Sequence, residues 1–209
     1  AGLVLSEAID ILQEQQENKT FKKALGEVSD ELKGGFTLAD ALGKHKDITK
    51  IKNLWIKKDG KIYKNELRPL IENLDELPFP DRVLYNKYKF FREKEATVFL
   101  AWRGCPFNCS FCFNHSFSKL YAGKGKFLRV RSPENIINEI KEVNKKEKIK
   151  TVLIIDSTFN LNKEWIIDFL QKYKKELNIP FTINVRADLI DEKIIKNIAD
   201  TGLCANIRF

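Results

Sequence analysis

The chain has 209 residues, with 37 lysines and arginines against 29 acidic residues, a net charge of +8 and four cysteines. No apolar run approaches the roughly 20 residues that a membrane-spanning helix requires, and no signal-peptide layout is present, so the expectation is a soluble, cytoplasmic chain. The positive charge comes from lysines scattered over helix faces, as between Lys141 and Lys150, which reads as solvated surface rather than a groove for nucleic acid.

Leu5 to about Glu17 has the apolar spacing of a helix, with Ala8, Ile9 and Leu12 turned inward. Asn18 punctuates it, and a second helix runs to Lys33 with Phe21, Leu25, Val28 and Leu32 inward. Gly34-Gly35 suits a helix C-terminus, and Thr37-Leu-Ala-Asp40 restarts a short helix with capping-box character. Residues 1–48 are therefore expected to be a small all-α helical hairpin module. Over 49–95 a β-hairpin and a proline-containing linker follow. Leu54 to Lys64 is two extended runs joined by Asp59-Gly60, a strong short turn signal. Arg68-Pro69 and Leu77-Pro78-Phe79-Pro80-Asp81-Arg82 then force a stiff, extended connection.

From residue 96 onward the pattern alternates. Thr97 to Trp102 is a compact run of strand formers that ends at Arg103-Gly104. Pro133 to about Lys146 reads as a helix, with Ser132 at the N-cap and Ile136, Ile137, Ile140 and Val143 on its apolar face. Thr151 to Ile155 is a buried-type strand, and Lys163 to Leu177 a helix with Trp165, Ile166, Phe169, Leu170 and Tyr173 inward. Pro180 to Val185 is a third strand, about Asp191 to Asp200 a third helix stopped by Gly202, and Leu203 to Phe209 a fourth strand. Such alternation predicts an α/β fold of parallel βαβ units. In barrels built from these units, active sites lie at the carboxyl ends of the strands.

The first of these strands leads into Arg103-Gly-Cys105-Pro-Phe-Asn-Cys109-Ser-Phe-Cys112-Phe-Asn114. Three thiolates on one short loop can converge on a soft metal centre, and a four-iron cluster held by three cysteines keeps one iron free of protein ligands. A structural zinc site normally wants a fourth ligand and wider pair spacing, and His115 is the available candidate. A disulfide with a spare thiol is the other alternative, though nothing else points to an oxidising compartment. Cys204, in an apolar run, reads as a small core residue.

The spacing CxxxCxxC, with Phe111 just before the last cysteine, resembles the signature of the radical S-adenosylmethionine (SAM) enzymes. The resemblance covers about Thr97 to Phe209, and it implies a [4Fe–4S] cluster on Cys105, Cys109 and Cys112. It further implies SAM chelated by the open iron and cleaved by a cluster electron to a 5′-deoxyadenosyl radical. Asp156 to Lys163, with Thr158 in it, is similar to the segment that approaches the SAM amino group in that family. The acidic, hydroxyl-bearing version seen here resembles the cobalamin-binding subgroup. Asn184, Arg186 and Asp188 match a polar and basic cluster of the same subgroup, with Arg186 placed to pair a carboxylate of SAM or substrate. Phe111 resembles the aromatic near the adenine. Each has a plainer reading beside it: Asp156 as a helix N-cap, Arg186 in a salt bridge to Asp188 or Asp191, Phe111 as a cover over the metal loop.

The hairpin and the LPFPDR run resemble the bridge from a cobalamin-binding domain into such a barrel. No cobalamin-binding motif is found, so that cofactor is expected only in a longer protein. Residues 1–48 instead resemble the cytoplasmic helical domain of the inner-membrane platform proteins of type II secretion and type IV pili. The absence of methionine, and a fourth strand reaching the last residue, fit a cut piece: the N-terminal half of a parallel (βα) partial TIM-type barrel over 96–209. The expected partners are a small-molecule substrate and an electron donor such as ferredoxin or flavodoxin. Two other functions stay open: a non-enzymatic secretion- or pilus-type interaction module fused to an inactive fragment, and an RNA-modifying methylthiotransferase.

Overall fold

The computed structural model describes residues 5–16, 19–43, 51–58, 60–82, 88–89 and 94–209. The chain divides into two units, residues 1–68 and 69–209.

The first unit opens with α1 (Leu5–Glu14), α2 (Lys19–Lys33) and α3 (Leu38–Gly43). Among the described residues of this unit, Leu25, Val28, Ser29 and Ala41 are buried. Two of the expected inward residues face out: Leu12 is 51% and Phe21 52% exposed. For Leu12 the reason lies in how closely α1 and α2 approach. A Cβ on Gly26 would stand 2.4 Å from the Gln13 amide nitrogen, and Ser29 donates to Asp10 Oδ1 at 2.5 Å. Small residues on α2 thus draw Asp10 and Gln13 to the seam, which rotates Leu12 away from it. Lys33, 2.9 Å from Asp10, and the Ser29 hydroxyl hold the Asp10 carboxyl below its ordinary range.

The hairpin forms as its turn signal demands. β1 (Trp55–Lys58) and β2 (Lys61–Lys64) pair antiparallel from Trp55↔Lys64 to Lys58↔Lys61. Gly60 takes a φ of 75°, the left-handed conformation a two-residue turn needs. Asp59, its partner in the turn signal, lies outside the described residues, as does the join at 44–50.

The second unit runs β3 (Thr97–Phe99), β4 (Trp102–Arg103), α4 (Asn114–Leu120), β5 (Arg129–Val130), α5 (Pro133–Lys146), β6 (Val152–Ile154), α6 (Lys163–Glu176), β7 (Phe181–Asn184), α7 (Glu192–Thr201) and β8 (Cys204–Arg208). β3, β6, β7 and β8 form one parallel sheet in that order. Side chains set the helix starts: Ser132 accepts from the Asn135 amide, Asn162 from Trp165 and Asp191 from Ile194. Gly202 ends α7 at a φ of 65°.

Ile136, Ile137 and Ile140 of α5 and Ile166, Phe169, Leu170 and Tyr173 of α6 are buried against Phe99, Val152, Ile154, Phe181 and Ile183 of the sheet. Each such side chain contributes about 1.5–3 kcal/mol by leaving water. Tyr173 donates its hydroxyl to the Ile179 carbonyl at 2.9 Å, so its burial leaves no polar atom unpaired. Cys204 is half-buried beside this core, and burial raises its thiol pKa. The edge strand β8 shows Ala205, Asn206 and Arg208 outward.

The linker is docked rather than free. Arg82 donates to Glu139 at 2.8 Å and lies 4.5 Å from the Phe99 ring centroid, while Arg131 donates to the other Glu139 oxygen at 2.5 Å and sits over Phe79. A carboxylate only 1% exposed is thereby paired on both oxygens.

Candidate active site

The strand expected over 97–102 divides in two. Phe99 ends the parallel pairing with β6, and Trp102–Arg103 turns aside to pair antiparallel with β5. Asp156, just past β6, causes the turn: its Oδ1 accepts from the Ala101 amide at 2.9 Å and the Trp102 amide at 3.0 Å. A side chain has taken the hydrogen bonds that a continued strand would have given to backbone. The chain is thus aimed off the sheet at the point where the cysteine loop begins.

Gly104 starts that loop at a φ of 85°, and a Cβ there would lie 2.6 Å from the Phe127 carbonyl oxygen. Only glycine satisfies both the backbone angle and the close approach. Further on, the Cys112 amide donates to the Cys109 carbonyl at 3.0 Å, a tight turn between two of the cysteines.

Each sulfur meets a different polar group. Cys105 Sγ lies 4.0 Å from the Thr158 hydroxyl. Cys109 Sγ accepts from Arg186 Nη1 at 3.8 Å. Cys112 Sγ accepts from the Asn114 amide at 3.6 Å, and the same amide donates to Ser157 at 3.2 Å. All three thiols are free and half-buried. Among the described residues no three His, Cys, Asp or Glu side chains are gathered as a single-ion site. A four-iron cluster ligates each cysteine through a different iron, so it asks for thiols spread wider than a single ion does.

His115 does not complete a zinc set in this arrangement. Its Nδ1 lies 2.6 Å from the Cys112 carbonyl oxygen and its Nε2 3.3 Å from the Ser116 hydroxyl. Three soft donors on one loop, two of them accepting an N–H that can stabilise sulfur charge and the third beside the Thr158 hydroxyl, fit an iron–sulfur cluster with one open iron.

The remaining residues singled out in the sequence surround this loop or support it. Asp156 is 1% exposed and caps no helix; the N-cap of α6 is Asn162. Its Oδ2 is buried without a partner among the described residues, as is the Trp102 indole nitrogen. Burial pushes the Asp156 carboxyl up to about 6, against the opposing pull of the Trp102 and Ala101 amides. Thr158 is buried and donates to the Ser157 carbonyl, and Asn184 donates its side-chain amide to the Asp156 carbonyl. Arg186 makes a two-point ion pair with Asp188, at 3.0 and 2.7 Å. Phe111 is 93% exposed and covers no part of the loop.

Two features were missed in the sequence. Asn160 is buried, accepts from the Arg186 amide at 2.9 Å and donates to the Arg186 carbonyl at 3.0 Å. Its signal was there, as an asparagine between apolar residues in an otherwise recognised segment. Phe107 lies under the Arg186 guanidinium, 3.8 Å from ring centroid to the central carbon. Nothing local marks it, because its partner is far along the chain.

The chain is 37% identical over 175 residues to an uncharacterized methyltransferase of Pyrococcus horikoshii, a match covering 82% of this chain and 36% of that protein. It is 29% identical over 150 residues to the anaerobic magnesium-protoporphyrin IX monomethyl ester cyclase of Rubrivivax gelatinosus, covering 69% and 26%. A shorter and weaker similarity, 39% over 51 residues, links 24% of the chain to 13% of the type IV pilus assembly protein PilC of Thermus thermophilus. The chain thus spans about a third of the length of the first relative and about a quarter of the second. The Radical SAM superfamily model matches residues 100–208, from just before the cysteine loop through β8. With that match over half its length, and the three-cysteine loop inside it, the chain belongs to the radical SAM superfamily of enzymes.

Proposed function

We propose that this chain carries the cluster- and SAM-binding half of a radical SAM enzyme, with Cys105, Cys109 and Cys112 as the cluster ligands. One observation carries the reading: three free thiols on a glycine-started loop, at the carboxyl end of a parallel sheet, with a polar group of the chain beside each sulfur and an N–H donor to two of them. When bound, such a cluster supplies the electron that cleaves the SAM sulfonium bond.

The protein's own part is positioning. Asp156 sets the direction in which the loop leaves the sheet, and its unpartnered Oδ2 is the acceptor we assign to the SAM ammonium. Thr158 and Asn184 hold that corner from below. Phe111, which stands exposed beside the last cysteine, is assigned to the adenine side.

In this reading residues 96–209 are the first half of a partial TIM-type barrel, 49–95 the hairpin and linker, and 1–48 a separate helical module. A small-molecule substrate would be acted on at an unactivated carbon, by methyl transfer or ring closure as in the activities named for the relatives. A flavodoxin or ferredoxin would supply the electron. Cobalamin belongs to the longer protein, for which the cobalamin-associated subgroup is our assignment, and the cytoplasm is its proposed location. No helix among the described residues is long and apolar enough to cross a membrane.

Anaerobic reconstitution with iron and sulfide is expected to give broad visible absorbance. After reduction, the electron paramagnetic resonance spectrum is expected to change when SAM is added. Stoichiometric zinc without a cluster defeats the reading. The similarity of a short stretch to a pilus assembly protein keeps a second reading in view, in which residues 1–48 dock onto a secretion or pilus complex. Retention of such a partner by the full chain, with no cluster formed, would favour it.

A further inference from the structure

We propose that Arg186 is a positioning residue that clamps the cysteine loop in the form ready for its cluster and gives the cluster a charged N–H···S hydrogen bond at Cys109. This rests on the cluster assignment proposed above.

The guanidinium is a planar fork with donors on two edges and a face that stacks on aromatics. Here three of its five N–H donors and one face are committed. Nε and Nη2 donate to the two Asp188 oxygens, Nη1 donates to Cys109 Sγ, and the plane rests 3.8 Å from the Phe107 centroid. The backbone beneath it is fixed as well, because buried Asn160 bonds both the amide and the carbonyl of Arg186. A rigid chain of contacts therefore runs from a buried asparagine through the arginine to the loop, 77 residues back in sequence.

The loop needs such a hold. Between β4 and α4 it belongs to no strand or helix, and the turn between Cys109 and Cys112 is its own local constraint. Phe107 lies midway between Cys105 and Cys109, so pinning its ring fixes the spacing of two ligands at once. Because Asp188 occupies the Nε–Nη2 edge, that edge is not open in this arrangement to a carboxylate of SAM.

The charge has a second effect. Reduction adds an electron to a cluster, and hydrogen bonds to its sulfurs with a nearby cation favour the reduced form. Arg186 should therefore raise the midpoint potential. Lysine would keep a charge but neither the stack nor the fork.

The test uses the full chain as wild type, Arg186→Gln and Arg186→Lys. In cluster-free protein, amide hydrogen exchange over 105–112 is expected to quicken several-fold in Arg186→Gln, with α6 unchanged. After reconstitution, titration with dithionite is expected to show a lower midpoint potential in Arg186→Gln at equal iron content, and partial recovery in Arg186→Lys. Equal exchange in the cluster-free chains overturns the clamp. An unchanged midpoint with weakened SAM affinity overturns the proposal in favour of a carboxylate-binding arginine. Wild-type protein that takes up no iron defeats the cluster assignment itself, and the exchange comparison still decides the clamp.

Discussion

The body of the second unit and its rim are held together by opposite means. Between α5, α6 and the sheet, the interior is built mainly of Ile, Val, Phe and Leu, and the Tyr173 hydroxyl buried in it is paired. At the carboxyl ends of the strands polar groups are buried among the apolar ones: Asp156, Thr158 and Asn160. Apolar burial is additive and tolerant of direction. A buried carboxylate or amide is held only where its partners are, and costs stability when they are missing. The body therefore fixes that the unit folds, and the rim fixes where one loop points.

The largest break in that comparison is expected in the body. Phe169 is fully buried and stacks on Trp165, with ring centroids 5.5 Å apart. Phe169→Ala is expected to cost about 3–5 kcal/mol, read by urea denaturation, and a loss under about 1 kcal/mol would mean the body is not packed as described.

At the rim the expected effects are smaller and depend on pH. Asp156→Ala leaves two backbone amides without their acceptor and is expected to cost about 1–3 kcal/mol. Asp156→Asn keeps an oxygen acceptor for those amides but cannot ionise. The wild-type carboxyl titrates at about 6 in the fold against an ordinary 3.8. Its protonated form thus favours folding, a contribution complete below the lower value and lost as pH rises through the higher one. Near pH 4 the wild type and Asp156→Asn should be close in stability, and above about pH 7 the variant should be ahead by up to about 3 kcal/mol. Parallel pH profiles for the two would contradict the burial of this group.

The smallest effect separates a helix end from both regions. Ser132→Ala removes the acceptor for the Asn135 amide and is expected to cost about 1 kcal/mol with no pH dependence over the same range.

What the sequence revealed follows the same division. The helix cap at Ser132, the Gly202 stop, the turn at Gly60 and the apolar face of α5 are all written within a few neighbouring residues. The cysteine spacing was legible for the same reason. Asp156 with Ala101, Arg82 with Glu139 and Arg186 with Cys109 are separated by 55, 57 and 77 residues, and no local pattern announces them. α4 escaped notice because no side chain caps its start at Phe113. In α1 the apolar spacing alone pointed Leu12 inward, and the close approach at Gly26 and Ser29 turned Asp10 and Gln13 there instead.

Cys105, Cys109 and Cys112, and not Cys204, are the proposed ligands of one four-iron cluster. The most direct measurement is iron and sulfide content after anaerobic reconstitution of the wild type and the four single Cys→Ala variants. About four irons per chain are expected in the wild type and in Cys204→Ala, and no stable cluster in the other three. A Cys204→Ala variant that loses its iron, or a loop variant that keeps all of it, would contradict the account.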